Sequence, residues 1–256
     1  MTTPTDADFD LFLADAEQPF AGWDFAYLNE SGRMASEPLP WSYASAALPR
    51  LRRATSALDM GTGGGELLAL LRPFPPRMAA TEGYAPNLPI ARSRLETLGV
   101  AVYAVGEDDR LPFADAASFD PVLNRHESYA QDEVARVLCP GGTFITQQVG
   151  VDDNVRLNEL LGVPLDVPWK EWRLVTARAQ LEAAGMRVSG AREAFPITRF
   201  YDIGAVIYYL KAVHWQVPDF SVERHRNALR HIHDLIEHDG FIEVSSHRFF
   251  LIAGRA

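Results

Sequence analysis

From Ser56 onward the chain alternates strand-like and helix-like segments, and this alternation narrows its fold more than any other feature. Ser56–Met60 is a short apolar run that stops at a glycine cluster, and Glu66–Leu71 begins a helix. Met78–Glu82 reads as a second strand. Leu88, Ala91, Leu95 and Leu98 then recur at helical spacing, with Gly99 placed to close that helix in a left-handed cap. Val100–Val105, Phe119–Asn124 and Thr143–Val149 read as three more strands, the last two separated by a helix over Gln131–Leu138 that ends at Pro140-Gly141-Gly142. A stripe of Leu174, Ala177, Leu181 and Ala184 closes at Gly185, and Met186–Ala194 and Arg248–Ala253 complete a set of seven strands. Helical crossovers between successive strands imply an α/β fold: a doubly wound, seven-stranded, mainly parallel sheet, Rossmann-like, with helices on both faces. Pro121 has no N–H for a ladder, so it marks either the first turn of the fourth strand or a bulge in it.

Two segments lie outside this pattern. The expected organisation over 1–256 is a single domain with an N-terminal cap (1–45), a core (46–196), an inserted cap (197–243) and the last core strand (244–256). Both caps are rich in aromatic residues, which are costly to leave in water, and are expected to close as lids over a cleft. Pro38-Leu39-Pro40-Trp41 has two fixed φ angles and predicts a stiff connector. The longest apolar run, near Ile203–Leu210, is too short to cross a bilayer and is flanked by Asp202 and Lys211.

Charge disfavours nucleic acid as a partner. The formal net charge is −10, and residues 1–45 hold eight acids against the single base Arg33. Only Lys170 and Lys211 are lysines, although the many arginines could cluster in space. The lone Cys139 has no internal disulfide partner, no Cys/His zinc spacing occurs, and the N-terminus lacks a basic start and apolar core. Together these predict a cytoplasmic protein with no membrane span and no metal.

The stretch Leu58-Asp59-Met60-Gly61-Thr62-Gly63-Gly64-Gly65-Glu66 follows a strand and opens a helix, so its glycines sit where backbone approaches a ligand. Glu66 stands where a dinucleotide fingerprint needs its third glycine, and no Gly-Lys-Ser/Thr follows for a Walker loop. What the loop offers is the Asp59 carboxylate, bare N–H groups at Gly61, Gly63 and Gly65, and a helix N-terminus. These suit a ligand carrying both an ammonium and a carboxylate, such as the amino-acid end of S-adenosylmethionine. Glu82 ends the next strand, where a carboxylate accepts hydrogen bonds from ribose hydroxyls.

On these residues the chain resembles the class I S-adenosylmethionine-dependent methyltransferases, in the broad group with Leu-Pro-Phe and Arg-Val-Leu-x-Pro-Gly-Gly motifs. The first motif is Asp59-Met60-Gly61-Thr62-Gly63-Gly64-Gly65 and the second Thr81-Glu82-Gly83. The third runs from Gly106-Glu107-Asp108-Asp109 through Arg110-Leu111-Pro112-Phe113, the fourth is Ser118-Phe119-Asp120, and Arg136-Val137-Leu138-Cys139-Pro140-Gly141-Gly142 precedes the fifth strand. The resemblance implies S-adenosylmethionine as cofactor and S-adenosylhomocysteine as product. It implies an adenine contact from Glu107, with Asp108 as the alternative. The Asn-Pro-Pro-Tyr/Phe signature of nucleic-acid amino-methyltransferases is absent, the fourth strand ending Asn124-Arg125-His126-Glu127, with Asn124 at the cofactor side.

Methyl transfer needs an aligned acceptor, excluded water and, for a hydroxyl or protonated amine, a base. His126 is the expected base, leaving the fourth strand at the carboxyl edge. Glu127 and one of Gln147 and Gln148 (Gln147 is favoured) are expected beside the acceptor, with Trp23, Tyr209 and Trp215 walling its pocket. Arg33 or Arg199 would pair with an acceptor carboxylate. The histidines at 225, 231, 233 and 238 have no zinc-helix spacing and read as a solvated helix. The expected function is methyl transfer to a small-molecule acceptor, the alternatives being a tRNA or rRNA methyltransferase or a non-catalytic cofactor-binding protein.

Overall fold

A computed structural model describes residues 6–20, 25–106, 110–114 and 118–255. In chain order its strands are β1 (Met34–Ser36), β2 (Ser56–Met60), β3 (Arg77–Glu82), β4 (Val100–Ala104), β5 (Val122–Arg125), β6 (Thr143–Val149), β7 (Met186–Ala194), β8 (Ile197–Phe200), β9 (Ile242–Ser245) and β10 (Arg248–Arg255). Seven of them form one sheet in the order β4-β3-β2-β5-β6-β10-β7. β2 pairs in parallel with both β3 and β5, so the strand order reverses at β2, the position where open α/β sheets bind ligands. β10 alone runs antiparallel, between β6 and β7. Its first residue, Arg248, pairs with Val149 at the end of β6 and so reaches the carboxyl edge of the parallel strands.

The central strands are covered on both faces, which is why they read as continuous apolar runs instead of alternating ones. Leu58, Val122, Phe144 and Leu251 face one core, while Ala57, Leu123, Ile145 and Phe250 face the other. Gly99, at φ 82°, closes the turn after the helix Leu88–Leu95, as its spacing predicted. The fourth strand of the sequence is shorter than expected. It starts at Val122, and Phe119 and Asp120 make only isolated bridges to Leu138 and Ser56. Pro121 cannot donate a ladder bond and contributes only its carbonyl, which accepts from Leu58 N at 3.1 Å.

The chain divides into two compact units. One comprises residues 40–150, 171–194 and 248–256 and holds the seven-stranded sheet. The other comprises 1–39, 151–170 and 195–247, and the boundary at 39/40 falls inside the Pro-Leu-Pro-Trp connector. The second unit has its own core around the helix Ile203–Ala212, which is buried almost all round, and its own antiparallel sheet, β1-β8-β9.

Within that unit the Arg33 guanidinium lies between Asp15 (2.6 Å) and Asp202 (2.5 Å), and Asp202 also caps Ile203–Ala212 by accepting from Ala205 N. Arg199 pairs with Glu243 at 2.7 Å. Both arginines expected to receive an acceptor carboxylate are thus engaged by acids of their own unit. The histidine-bearing helix Val222–Asp239 is not solvated throughout. His225 and His233 are buried, the His233 ring lying 5.4 Å from that of Phe9. Among the described residues no helix is long and apolar enough to cross a membrane.

Candidate active site

The glycine loop links β2 to the helix Glu66–Leu70, and its three left-handed glycines are required for three different reasons. Gly65, at φ 82°, caps the helix, and a Cβ there would lie 2.7 Å from Leu95. At Gly61, φ 64°, a Cβ would overlap the side chain of Glu127. At Gly63, φ 63°, nothing lies within 4 Å of the same position, so its backbone faces open space. The loop is tied to β3 through Thr62 N to Thr81 O (2.9 Å) and Gly63 N to Glu82 Oε2 (2.6 Å).

Glu82 is 3% exposed, and its other oxygen accepts from Tyr84 N at 2.7 Å. Burial raises its pKa, against the lowering effect of backbone donors at Tyr84, Gly63 and Gly83. Each carboxylate oxygen has two lone pairs, so both retain capacity for hydroxyl donors after these bonds are made.

A cavity of about 370 Å³ opens beside the loop, lined by Met60, Gly61, Thr81, Gly106, Glu127 and Tyr129 among others. A larger recess of about 620 Å³ lies at the opposite edge, lined by Arg72–Pro76 and Leu98–Gly99, which precede β3 and β4. The glycine loop and the carboxyl ends of β2, β3 and β5 converge at the smaller cavity, the place where open α/β sheets bind ligands.

Asp59 is buried on β2, and burial lifts its carboxyl pKa from 3.8 to about 7, against the lowering influence of Thr62 and Arg125. Thr62 Oγ1 has no well-formed hydrogen bond, so it influences Asp59 by proximity. Asn124, fully buried at the next strand, accepts through Oδ1 from Thr146 Oγ1 (2.8 Å) and Gln148 Nε2 (2.6 Å). Its Nδ2 has no acceptor among the described residues, an orphan that costs about 1–3 kcal/mol.

His126 follows β5 with φ 60°, a left-handed conformation unusual for a residue with a Cβ, and is held there by its N–H to Gln147 O at 2.8 Å. Its Nε2 lies 3.0 Å from Gln147 Nε2, and Gln147 Oε1 accepts from Trp41 Nε1 at 2.9 Å. Desolvation, then Arg125 and Arg248, push the His126 pKa well below its ordinary value. The residue retains solvent-accessible surface, which tempers the desolvation, and the two cations sustain the direction.

The sheet-bearing unit therefore brings together Asp59, Gly61, Gly63, Gly65, Glu82, Asn124, His126, Glu127 and Gln147. Tyr209 and Trp215 belong to the other unit. There the Tyr209 hydroxyl accepts from Asn154 Nδ2 at 2.6 Å, and Trp215 packs half-buried on that unit's core. Trp23, Glu107 and Asp108 lie outside the described residues. Sequence reasoning missed Trp41, Arg125 and Arg248 as site residues. Arg125 had a usable signal, standing between Asn124 and His126 at a strand end, whereas nothing in spacing joins Trp41 or Arg248 to them.

Residues 58–146 match a family model described as a methyltransferase domain. A protein-L-isoaspartate O-methyltransferase from Methylorubrum populi is 31% identical over 116 residues, 45% of this chain and 54% of that protein. The chain thus matches about half the length of this curated relative. Among solved structures, a candidate methyltransferase from Bacillus halodurans superposes with a TM-score of 0.56 at 16% identity, over 82% of this chain and 99% of that one. A candidate methyltransferase solved in complex with a Haloferax volcanii methyltransferase activator gives 0.50 at 21% identity, over 98% and 96%. Both likenesses are of fold. Residues 58–146 of the sheet-bearing unit thus carry the methyltransferase-domain match, and the fold is the one these solved structures share.

Proposed function

We propose that the protein transfers the methyl group of S-adenosylmethionine to a small-molecule acceptor. The observation that carries this reading is the open cradle at Gly63, a left-handed glycine that faces open space, donates its N–H to the buried Glu82 and follows the buried Asp59 of β2. When bound, S-adenosylmethionine supplies an electrophilic methyl group on a sulfonium. Asp59 receives the ammonium of the amino-acid end, and the spare lone pairs of Glu82 receive ribose hydroxyls. The loop backbone and the Asn124 amide add polar contacts, and Glu107 or Asp108 takes the adenine, as the family resemblance implies. The chain's own part in the reaction is alignment of the acceptor and exclusion of water from the cavity lined by Met60, Glu127 and Tyr129. Thermal unfolding tests the assignment. S-adenosylhomocysteine is expected to raise the midpoint by mass action, and NAD to leave it unchanged. Equal shifts from the two, or none from either, would remove the cofactor assignment.

A further inference from the structure

An indole N–H has a hydrogen to give and no lone pair to offer, so the Gln147 atom facing Trp41 Nε1 is the carbonyl oxygen. That contact fixes which way the amide points and turns its NH2 toward His126 Nε2. The NH2 only donates, so Nε2 carries the lone pair and the proton of the neutral ring sits on Nδ1. His126 cannot gain a proton at Nε2 without setting that N–H against the amide hydrogens. Its role changes from the expected base to a hydrogen-bond donor.

Two guanidiniums stand at the same edge of the sheet. Arg125 ends β5, in register with Gln147, and is exposed. Its guanidinium makes no ion pair or hydrogen bond among the described residues, and Asp59 attracts it only through space. Arg248 begins β10, two residues before Phe250, the partner of Gln147 across β6. Both arginines lie near enough to His126 to disfavour its cationic form, which keeps the ring a neutral donor.

We propose that Arg125, Arg248 and the Nδ1–H of His126 form an oxyanion site for the acceptor, which is therefore an acidic small molecule, and that Trp41 and Gln147 are positioning residues that hold His126 as a donor. The proposal rests on the methyltransferase reading above and deepens it, since the carboxyl edge is where the acceptor meets the cofactor.

The test uses the full chain saturated with S-adenosylhomocysteine, with benzoate, phenyl phosphate and neutral benzamide as probes. Side-chain 15N spectra are expected to show His126 as the neutral Nδ1–H tautomer at pH 7. Gln147→Glu, which accepts from both neighbours, is expected to move the proton to Nε2. Benzoate, phenyl phosphate or both are expected to bind saturably and benzamide not, with affinity falling by about tenfold in Arg125→Gln and in Arg248→Gln. An Nε2–H or imidazolium ring in the wild type, benzamide binding as tight as the anions, or unchanged anion affinity in Arg125→Gln each overturns the proposal. Loss of S-adenosylhomocysteine affinity in Arg125→Gln also overturns it, by assigning that guanidinium to the cofactor's own carboxylate. Failure of the wild type to bind S-adenosylhomocysteine is a separate result, and it removes the underlying methyltransferase reading instead.

Discussion

Asp59 is held where water cannot stabilise its charge, while the proposed ligand requires that charge. Burial raises its pKa from 3.8 to about 7, so the folded protein holds this proton more tightly than the unfolded chain does. The resulting stabilisation is fully present below the unfolded pKa and is lost as pH rises through about 7. An ammonium placed against Asp59 reverses the preference, so binding should expel a proton. Affinity for S-adenosylhomocysteine is expected to rise from about pH 6 to pH 8 and then level off, by up to about tenfold per unit on the rising limb. Asp59→Asn should flatten the profile. Calorimetry in two buffers of different ionisation heat reads the proton directly, and zero release near pH 6.5 would detach Asp59 from the ammonium.

Gly63 poses a different residue-scale question, because its left-handed backbone disfavours a branched side chain and the open space a Cβ would enter is the space proposed for the ligand. Gly63→Val is expected to abolish S-adenosylhomocysteine binding. Wild-type affinity in a variant with a native circular dichroism spectrum would move the ligand off this loop.

At the scale of elements, the sheet was legible because its strands are short apolar runs set off from the helices by punctuation. Strand residue Met60 runs into the glycine loop, while the helical segments ending at Leu98 and Leu138 stop at Gly99 and Pro140-Gly141-Gly142, just before the next strands. The acids proposed for the cofactor, Asp59 and Glu82, were picked out by the same pattern, each standing at or next to the end of such a run. The second unit was not. β1 is three residues long, too short to show a period, and it joins β8 and β9 from more than 160 positions away. The donor chain from Trp41 through Gln147 to His126 was hidden likewise, since it joins a connector, a strand and a strand exit that no sequence spacing relates.

The helix Val222–Asp239 shows how packing defeats a polar reading. Its sequence is rich in charge, yet His233 is 1% exposed against Phe9 and Phe12, and both ring nitrogens lack partners among the described residues. Buried unsatisfied nitrogens cost about 1–3 kcal/mol, more than the ring contact returns. His233→Leu is therefore expected to raise the unfolding midpoint by about 2–4 °C per kcal/mol gained. A lower midpoint would mean that the ring nitrogens are satisfied in the folded protein.

Over the whole molecule, charge separates the two acceptor classes. The chain carries a net −10, and several of its arginines are committed to internal acids, Arg33 to Asp15 and Asp202, Arg199 to Glu243 and Arg226 to Asp10. The cations at the proposed acceptor site are two, Arg125 and Arg248, which suffice for one oxyanion. A tRNA or rRNA substrate asks for more. Each neutralised phosphate releases a counterion, so a protein gripping many phosphates loses affinity steeply with salt, with a slope of about −0.7 to −0.9 per contact. Two cations allow a slope no steeper than about −2. Titration of bulk tRNA at several salt concentrations, with S-adenosylhomocysteine present, is expected to show no saturable binding at physiological salt and at most that shallow slope below it. A slope of about −5 or steeper would require a phosphate-binding surface well beyond Arg125 and Arg248. It would transfer the acceptor from an acidic small molecule to RNA, with the cofactor half of the site unchanged.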